Sequence, residues 1–132
     1  MILLDTHAVF WLNSAPQKLS RDATRAIRRA AIGTGLGLST ISLWELAVLI
    51  ENGRLRLKGT TTKGFLDALL RTPGLMLLDI TTEIAVLSTQ FPPGFTGDPA
   101  DRLIAATARA HDVPIVTKDQ DLQDSPLLRT IW

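Results

Sequence analysis

The chain predicts an α/β fold, a three-layer α/β/α sandwich around a central parallel sheet, and three observations carry that expectation. Apolar runs of strand length alternate with helix-length segments from end to end, the pattern that right-handed crossovers between parallel strands produce. The first run, Ile2-Leu3-Leu4, is apolar at consecutive positions, as in a strand covered by helices on both faces. Acids stand beside the first and last runs, Asp5 after Leu4 and Asp119 after Val113–Thr117. If those runs are neighbouring parallel strands, both acids emerge at one carboxyl edge, where open α/β sheets place their sites.

Taken in order, Ile2–Asp5 reads as a short buried strand and Thr6–Asn13 as a turn into a short helix. Ser20 caps the helix Arg21–Ile32, which Gly33, Gly35 and Gly37 break. Leu36–Ser39 is a second strand. A helix from about Ser42 sets Leu43, Leu46, Ala47 and Ile50 on one apolar stripe and ends at Asn52-Gly53. Thr60–Arg71 forms another helix, stopped by Pro73-Gly74, before a third strand at Leu75–Ile80. Thr81–Thr89 is helical until Phe91-Pro92-Pro93-Gly94 interrupts it. At Asp98-Pro99 an aspartate cap and a proline at the first helical position start a helix that runs to about His111. Ile115–Thr117 and Leu128–Trp132 complete the strands. No repeat, low-complexity tract or linker divides residues 1–132, so a single domain is expected.

Composition narrows the chemistry. The absence of cysteine excludes disulfides, thiolate metal sites and cysteine nucleophiles. Two histidines, His7 and His111, are too few for a dedicated imidazole zinc site. No apolar span reaches the roughly 20 residues that a bilayer crossing needs, and Met1 leads straight into a strand-like run. A cytoplasmic protein without a membrane role is the expectation. The net charge of +1 decides nothing about nucleic acid, because a local basic patch can do what the whole surface does not. Arg21, Arg25, Arg28 and Arg29 fall on one helix, and Arg54, Arg56 and Lys58 follow another; a solvated helix face and a polar loop are the ordinary explanations.

Four acids deserve joint consideration: Asp5, Glu45, Asp101 and Asp119. Singly, each has a structural explanation. Asp98 is a helix cap, Asp101 lies in a first turn where the helix dipole favours it, and Asp119 caps the turn Gln120–Gln123. Glu45 fits a helix surface less comfortably between Trp44 and Leu46. Asp5 is hardest to dismiss, because a carboxylate directly after a buried strand must be paired, hydrogen-bonded or metal-bound. Gathered together, these carboxylates would repel one another unless a cation such as Mg²⁺ or Mn²⁺ neutralised them.

Four segments then carry a resemblance: Met1–His7, Ser39–Glu45, Asp98–Ala108 with its Asp-Pro-Ala-Asp-Arg start, and Val116-Thr117-Lys118-Asp119. In that order and spacing they resemble PIN-domain proteins, in particular the toxin component of VapBC toxin–antitoxin pairs. The resemblance implies a Mg²⁺- or Mn²⁺-dependent endoribonuclease whose acidic quartet maps onto Asp5, Glu45, Asp101 and Asp119. Asp5 and Asp101 would be the main metal ligands, with Asp119 and Asp98 completing one or two ion sites. Glu45 would orient or deprotonate the attacking water, and Thr6 and Thr117 would hydrogen-bond the acids or metal-bound water. Hydrolysis by metal-activated water leaves 5′-phosphate and 3′-hydroxyl ends. The implied partners are an RNA substrate, a cognate antitoxin that covers the acidic groove, and a second copy of the chain.

One departure is His7, where many PIN domains carry Asn; it either touches RNA or packs beneath the site, and packing is the preferred reading. Arg102 has two readings as well, a phosphate contact or an ion pair with Asp98. Trp11, Trp44 and Trp132 are expected in core or interface packing rather than stacked on bases. Two competing functions remain: a catalytically silent PIN-like module that binds RNA or protein, and a receiver-type phosphoacceptor domain. The receiver reading lacks an acidic pair before Asp5, and Asp79 sits inside its apolar run. Haloacid-type phosphatases are disfavoured because Asp5-Thr6-His7 has no second aspartate.

Overall fold

A computed structural model describes residues 1–95 and 97–132. Five strands, β1 (Ile2–Leu4), β2 (Leu36–Ser39), β3 (Leu75–Leu78), β4 (Ile115–Val116) and β5 (Thr130–Ile131), form one sheet in the order β3-β2-β1-β4-β5. Every pairing is parallel, so the three-layer expectation holds. Among the described residues seven α-helices cover the sheet: α1 (Thr6–Ser14), α2 (Arg21–Ala31), α3 (Thr40–Glu51), α4 (Thr62–Leu69), α5 (Thr82–Leu87), α6 (Pro99–His111) and α7 (Gln120–Asp124).

The central strand explains the layering. Side chains alternate across a strand, so Ile2 and Leu4 enter the core under α1 and α2, with Val9, Phe10 and Ile27. Leu3 points the other way, into a cluster with Ile104 and Ala108 of α6 and Ile115 of β4. Leu3 and Leu4 are both fully buried, which is why the run has no polar position. Chain order reverses at β1: β2 and β3 grow outward on one side, β4 and β5 on the other. The crevice between β1 and β4 is therefore the topological switch point, the place where such sheets bind ligands.

Several boundaries shift, each for a local reason. α3 starts at Thr40 rather than Ser42, because the Ser39 hydroxyl accepts from the Ile41 amide at 3.4 Å and caps the helix as soon as β2 ends. Its apolar stripe is narrower than expected, with Ser42 and Leu46 buried while Trp44 and Val48 face outward. α4 starts at Thr62, since the Thr61 hydroxyl takes the Gly64 amide at 3.0 Å. The run Leu75–Ile80 ends as a strand at Leu78, and Met76 and Leu77 are 50% and 41% exposed. A continuous apolar run is here an edge strand with two exposed side chains, which periodicity alone does not distinguish from a buried one.

Gly74 links α4 to β3 with φ +80°, and a β-carbon there would stand 2.6 Å from the Ala31 carbonyl oxygen. Gly53 has φ +81° but no atom within 4 Å of the same position. Gly53→Ala is expected to cost about 1 kcal/mol, the left-handed conformation alone. Gly74→Ala is expected to cost at least about 2 kcal/mol more, since backbone must move. Urea denaturation of the two variants measures the difference, and equal costs would contradict the close approach.

Candidate active site

The switch-point crevice opens into a cleft of about 460 Å³ lined by Asp5, Glu45, Asp98, Asp101 and Asp119, with His7, Trp11, Leu49, Arg54 and Lys118 around them. Three element ends and two helices deliver the acids. β1 runs into α1 without a loop, so Asp5 is both the residue after the strand and the N-cap of the helix, its Oδ1 accepting the Thr6 amide at 2.7 Å. Its Oδ2 accepts the Thr117 hydroxyl at 2.7 Å, from the residue after β4. The parallel register continues to this point, with the Asp5 amide bonded to the Val116 carbonyl at 3.0 Å. Asp5 is only 7% exposed. Burial pushes its carboxyl above the usual range, and the Thr117 and Thr6 hydrogen bonds pull against that shift.

Thr117 is fully buried and works in both directions, donating to Asp5 and accepting the Asp119 amide at 3.0 Å. Asp119 caps α7, its Oδ1 accepting from Asp121 and Leu122 at 2.8 and 3.2 Å. Asp98 and Asp101 form a reciprocal capping box at the start of α6: Asp98 Oδ1 accepts the Asp101 amide at 2.8 Å, and Asp101 Oδ2 the Asp98 amide at 3.3 Å. Capping and clustering are thus the same arrangement. Glu45 projects from the second turn of α3, and burial raises its carboxyl while the Thr6 hydroxyl opposes the rise. The Thr6 hydroxyl, fully buried, also lies within hydrogen-bond distance of the Ser42 hydroxyl, at 3.0 Å, which ties α1 to α3 beneath the acids.

The charges crowd one another. The Asp101 carboxyl is pushed up to about 7, first by burial and then by repulsion from Asp98, Asp5, Asp119 and Glu45. Carboxylate oxygens of Glu45, Asp98 and Asp101 lie within 4.8 Å of one another. Hard oxygen donors at that spacing, with excess negative charge, fit a divalent cation such as Mg²⁺ or Mn²⁺. Glu45, expected to orient or deprotonate the attacking water, belongs to this donor trio alongside Asp98 and Asp101.

Two expectations about flanking residues change, and the reading of the tryptophans as core or interface divides between them. His7 does not pack beneath the site: it is exposed on the cleft wall, its ring 5.6 Å from that of Trp11, because α1 turns this position outward between buried Thr6 and Ala8. Arg102 makes no ion pair with Asp98 among the described residues. Its guanidinium donates to the Gly97 and Phe95 carbonyls at 3.1 and 2.9 Å and lies over the Phe95 ring, holding the loop before α6. Trp11 and Trp132 pack together at 5.8 Å, but Trp44 is 58% exposed and so is not core. The cations that do line the cleft are Arg54 and Lys118, neither of which sequence reasoning singled out for it. Lys118 had a signal, its place between Thr117 and Asp119. Asp79, the phosphoacceptor of the receiver reading, is exposed at the end of the edge strand and outside the cleft, and the strand order differs from the 2-1-3-4-5 of receivers.

A PIN-domain family model matches residues 2–126. Ribonuclease VapC22 of Mycobacterium tuberculosis is 39% identical over 136 aligned positions that cover 99% of this chain and 98% of that protein. Among solved structures, VapBC2 from Rickettsia felis bound to a promoter DNA fragment matches with a TM-score of 0.75 at 20% identity, over 98% of this chain and 97% of that one. DNA-bound VapBC from Salmonella typhimurium matches at 0.72 and 19%, over 98% and 97%. FitAcB from Neisseria gonorrhoeae matches at 0.68 and 23%, over 98% and 96%. At these identities the structural matches speak for the fold.

Asp101 holds a proton up to about pH 7 when folded, against 3.8 for the unperturbed group. Between those values the folded, metal-free protein binds more protons than the unfolded chain, so its stability falls as pH rises through the window. Its Tm in EDTA is expected to be higher near about pH 5 than near about pH 8, with Mg²⁺ recovering the difference at the higher pH. Asp101→Asn should flatten both responses. A Tm that rises across the window would show that the acids do not repel as placed.

Proposed function

The chain belongs to the PIN-domain family, and from that premise we propose that it is a metal-dependent endoribonuclease, the toxin of a toxin–antitoxin pair. The observation that carries the reading is the convergence of five carboxylates on one cleft, with Asp5 buried at its base and held by two donors. The ribonuclease relative, similar over almost its whole length, supports RNA as the substrate.

The donor set fits Mg²⁺ or Mn²⁺, held by Asp101, Asp98 and Glu45 with Asp5 and Asp119 beside them. A bound divalent ion supplies Lewis-acid polarisation of the scissile phosphate and acidifies water near neutral pH. The protein does the rest. Thr117 and the Thr6 amide fix both oxygens of Asp5, so this carboxylate stays in one orientation. Glu45, its carboxyl raised by burial, is suited to accept a proton from water at the cleft. With water as the nucleophile, the products carry 5′-phosphate and 3′-hydroxyl ends. Arg54 and Lys118 on the wall offset the acids where a phosphodiester must approach. A silent binding module has no observation in its favour, since every acid of the quartet lines the cleft.

The partner we propose is a cognate antitoxin, a reading supported by the toxin–antitoxin complexes among the structural matches. An antitoxin side chain that enters this cleft must be cationic, and a guanidinium would satisfy the carboxylates bidentately. Homodimerisation is proposed on Trp44 and Val48, apolar and exposed next to Glu45 and Asp98, where a second copy would cover them.

Asp5→Asn is expected to lower cleavage of total cellular RNA by at least about a hundredfold without loss of fold. EDTA should abolish cleavage by the wild type, and mapped ends should carry 5′-phosphates. Thr117→Val keeps the shape and removes the donor to Asp5, for an expected loss of about 10- to 100-fold. Unchanged turnover in Asp5→Asn, or no cleavage by folded, antitoxin-free wild type with either metal, would sink the nuclease.

A further inference from the structure

Next to the acidic cleft lies a second groove of about 530 Å³, which shares Trp11 and Arg54 with it and so continues it. Its lining is opposite in character, with Lys18, Arg54, Arg56 and Lys58 and no acid. None of these four forms an ion pair among the described residues, although three such pairs exist elsewhere on the surface. Resting on the nuclease reading, we propose that this groove is the track for single-stranded RNA on one side of the scissile phosphate.

The display of charge is built rather than incidental. In Arg54-Leu55-Arg56-Leu57-Lys58 burial alternates: Leu55 and Leu57 pack against the main core and the three cations stay exposed. The segment is anchored where it leaves α3, the Leu55 amide on the Leu49 carbonyl at 2.9 Å and the Arg54 amide on the Asn52 side chain at 3.1 Å. A groove that binds a polyanion needs such fixed cations away from the reacting phosphate, because five carboxylates at the centre repel the rest of the chain.

Trp11 stands at the junction. Its ring packs on Trp132, and Lys18 Nζ and Lys118 Nζ each lie 6.0 Å from its centre, one from the groove and one from the cleft. Two ammonium groups gathered over one ring make this junction cationic, so the phosphates of a strand that passes from cleft to groove meet lysines on both sides of it. Charge complementarity and continuity with the cleft commit the groove to RNA rather than to a peptide.

The test measures binding without cleavage. In an Asp5→Asn background with EDTA, anisotropy of a fluorescein-labelled oligouridylate of roughly ten nucleotides reads affinity across a salt series. Arg56→Ala/Lys58→Ala is expected to weaken binding about tenfold at low salt and to lower the salt slope by about 1.4, or 0.7 per lost phosphate contact. Arg28→Ala/Arg29→Ala removes the same charge from α2, outside the groove, and should change affinity less than about twofold. Unchanged binding by the groove variant overturns the track, as does an equal loss in both variants. Retained RNA binding with lost capture of the antitoxin would reassign the groove to a protein segment. If wild type cleaves RNA with metal while the groove variant binds normally, the track alone fails; absence of cleavage by wild type fails the nuclease reading instead.

Discussion

The hydrogen bond from Thr117 to Asp5 joins the ends of two strands separated by 112 positions in the chain, and the site depends on it. It exists because β1 and β4 pair in parallel with Leu4 opposite Val116, so the next residue of each strand arrives at the same height. A buried carboxylate without partners would be expelled or protonated. Here one oxygen takes a helix N-terminal amide and the other a hydroxyl, so both oxygens of Asp5 are hydrogen-bonded at the base of the cleft and oppose the rise that burial causes.

Around that fixed point the fold concentrates negative charge instead of dispersing it. Each further acid has a local role that keeps it in place: Asp119 caps α7, and Asp98 and Asp101 cap α6 reciprocally. The helix ends repay part of the repulsion, since amides and the dipole favour anions there. What remains unbalanced is visible in the raised carboxyls of Asp5, Glu45 and Asp101. A site in this condition is poised for a cation, whether a metal ion or a basic side chain from a partner. The cations the chain itself supplies stand at the margin, where they can engage a polyanion without cancelling the centre.

Much of this was legible in the residues. Asp5 after a fully apolar run signals a carboxylate at a strand end, and Asp98-Pro99 with Asp101 signals a capped helix start. The structure brings these acids into one cleft with Glu45 and Asp119. The edge position of β3 was not legible, because Leu75–Leu78 is as apolar as a central strand. Nor was the outward turn of His7, which follows from where α1 starts and leaves it exposed between buried Thr6 and Ala8. Arg54, Arg56 and Lys58 carried a clue in their alternation with Leu55 and Leu57. That clue resembles a strand pattern and says nothing of a groove until the packing partners are known.

By itself the sequence determined the local chemistry: which segments become helices and strands, where caps fall, and which acids stand at element ends. Those properties depend on neighbours within a few residues, through propensity, capping and side-chain periodicity. The strand order, the reversal at β1, the burial of Asp5 and the meeting of Trp11 with both grooves came only from the tertiary structure. These depend on contacts between residues far apart in the chain, such as Asp5 with Thr117 and Thr6 with Ser42. Proximity of that kind is created when the hydrophobic faces of sheet and helices are buried together, and it has no local sequence counterpart.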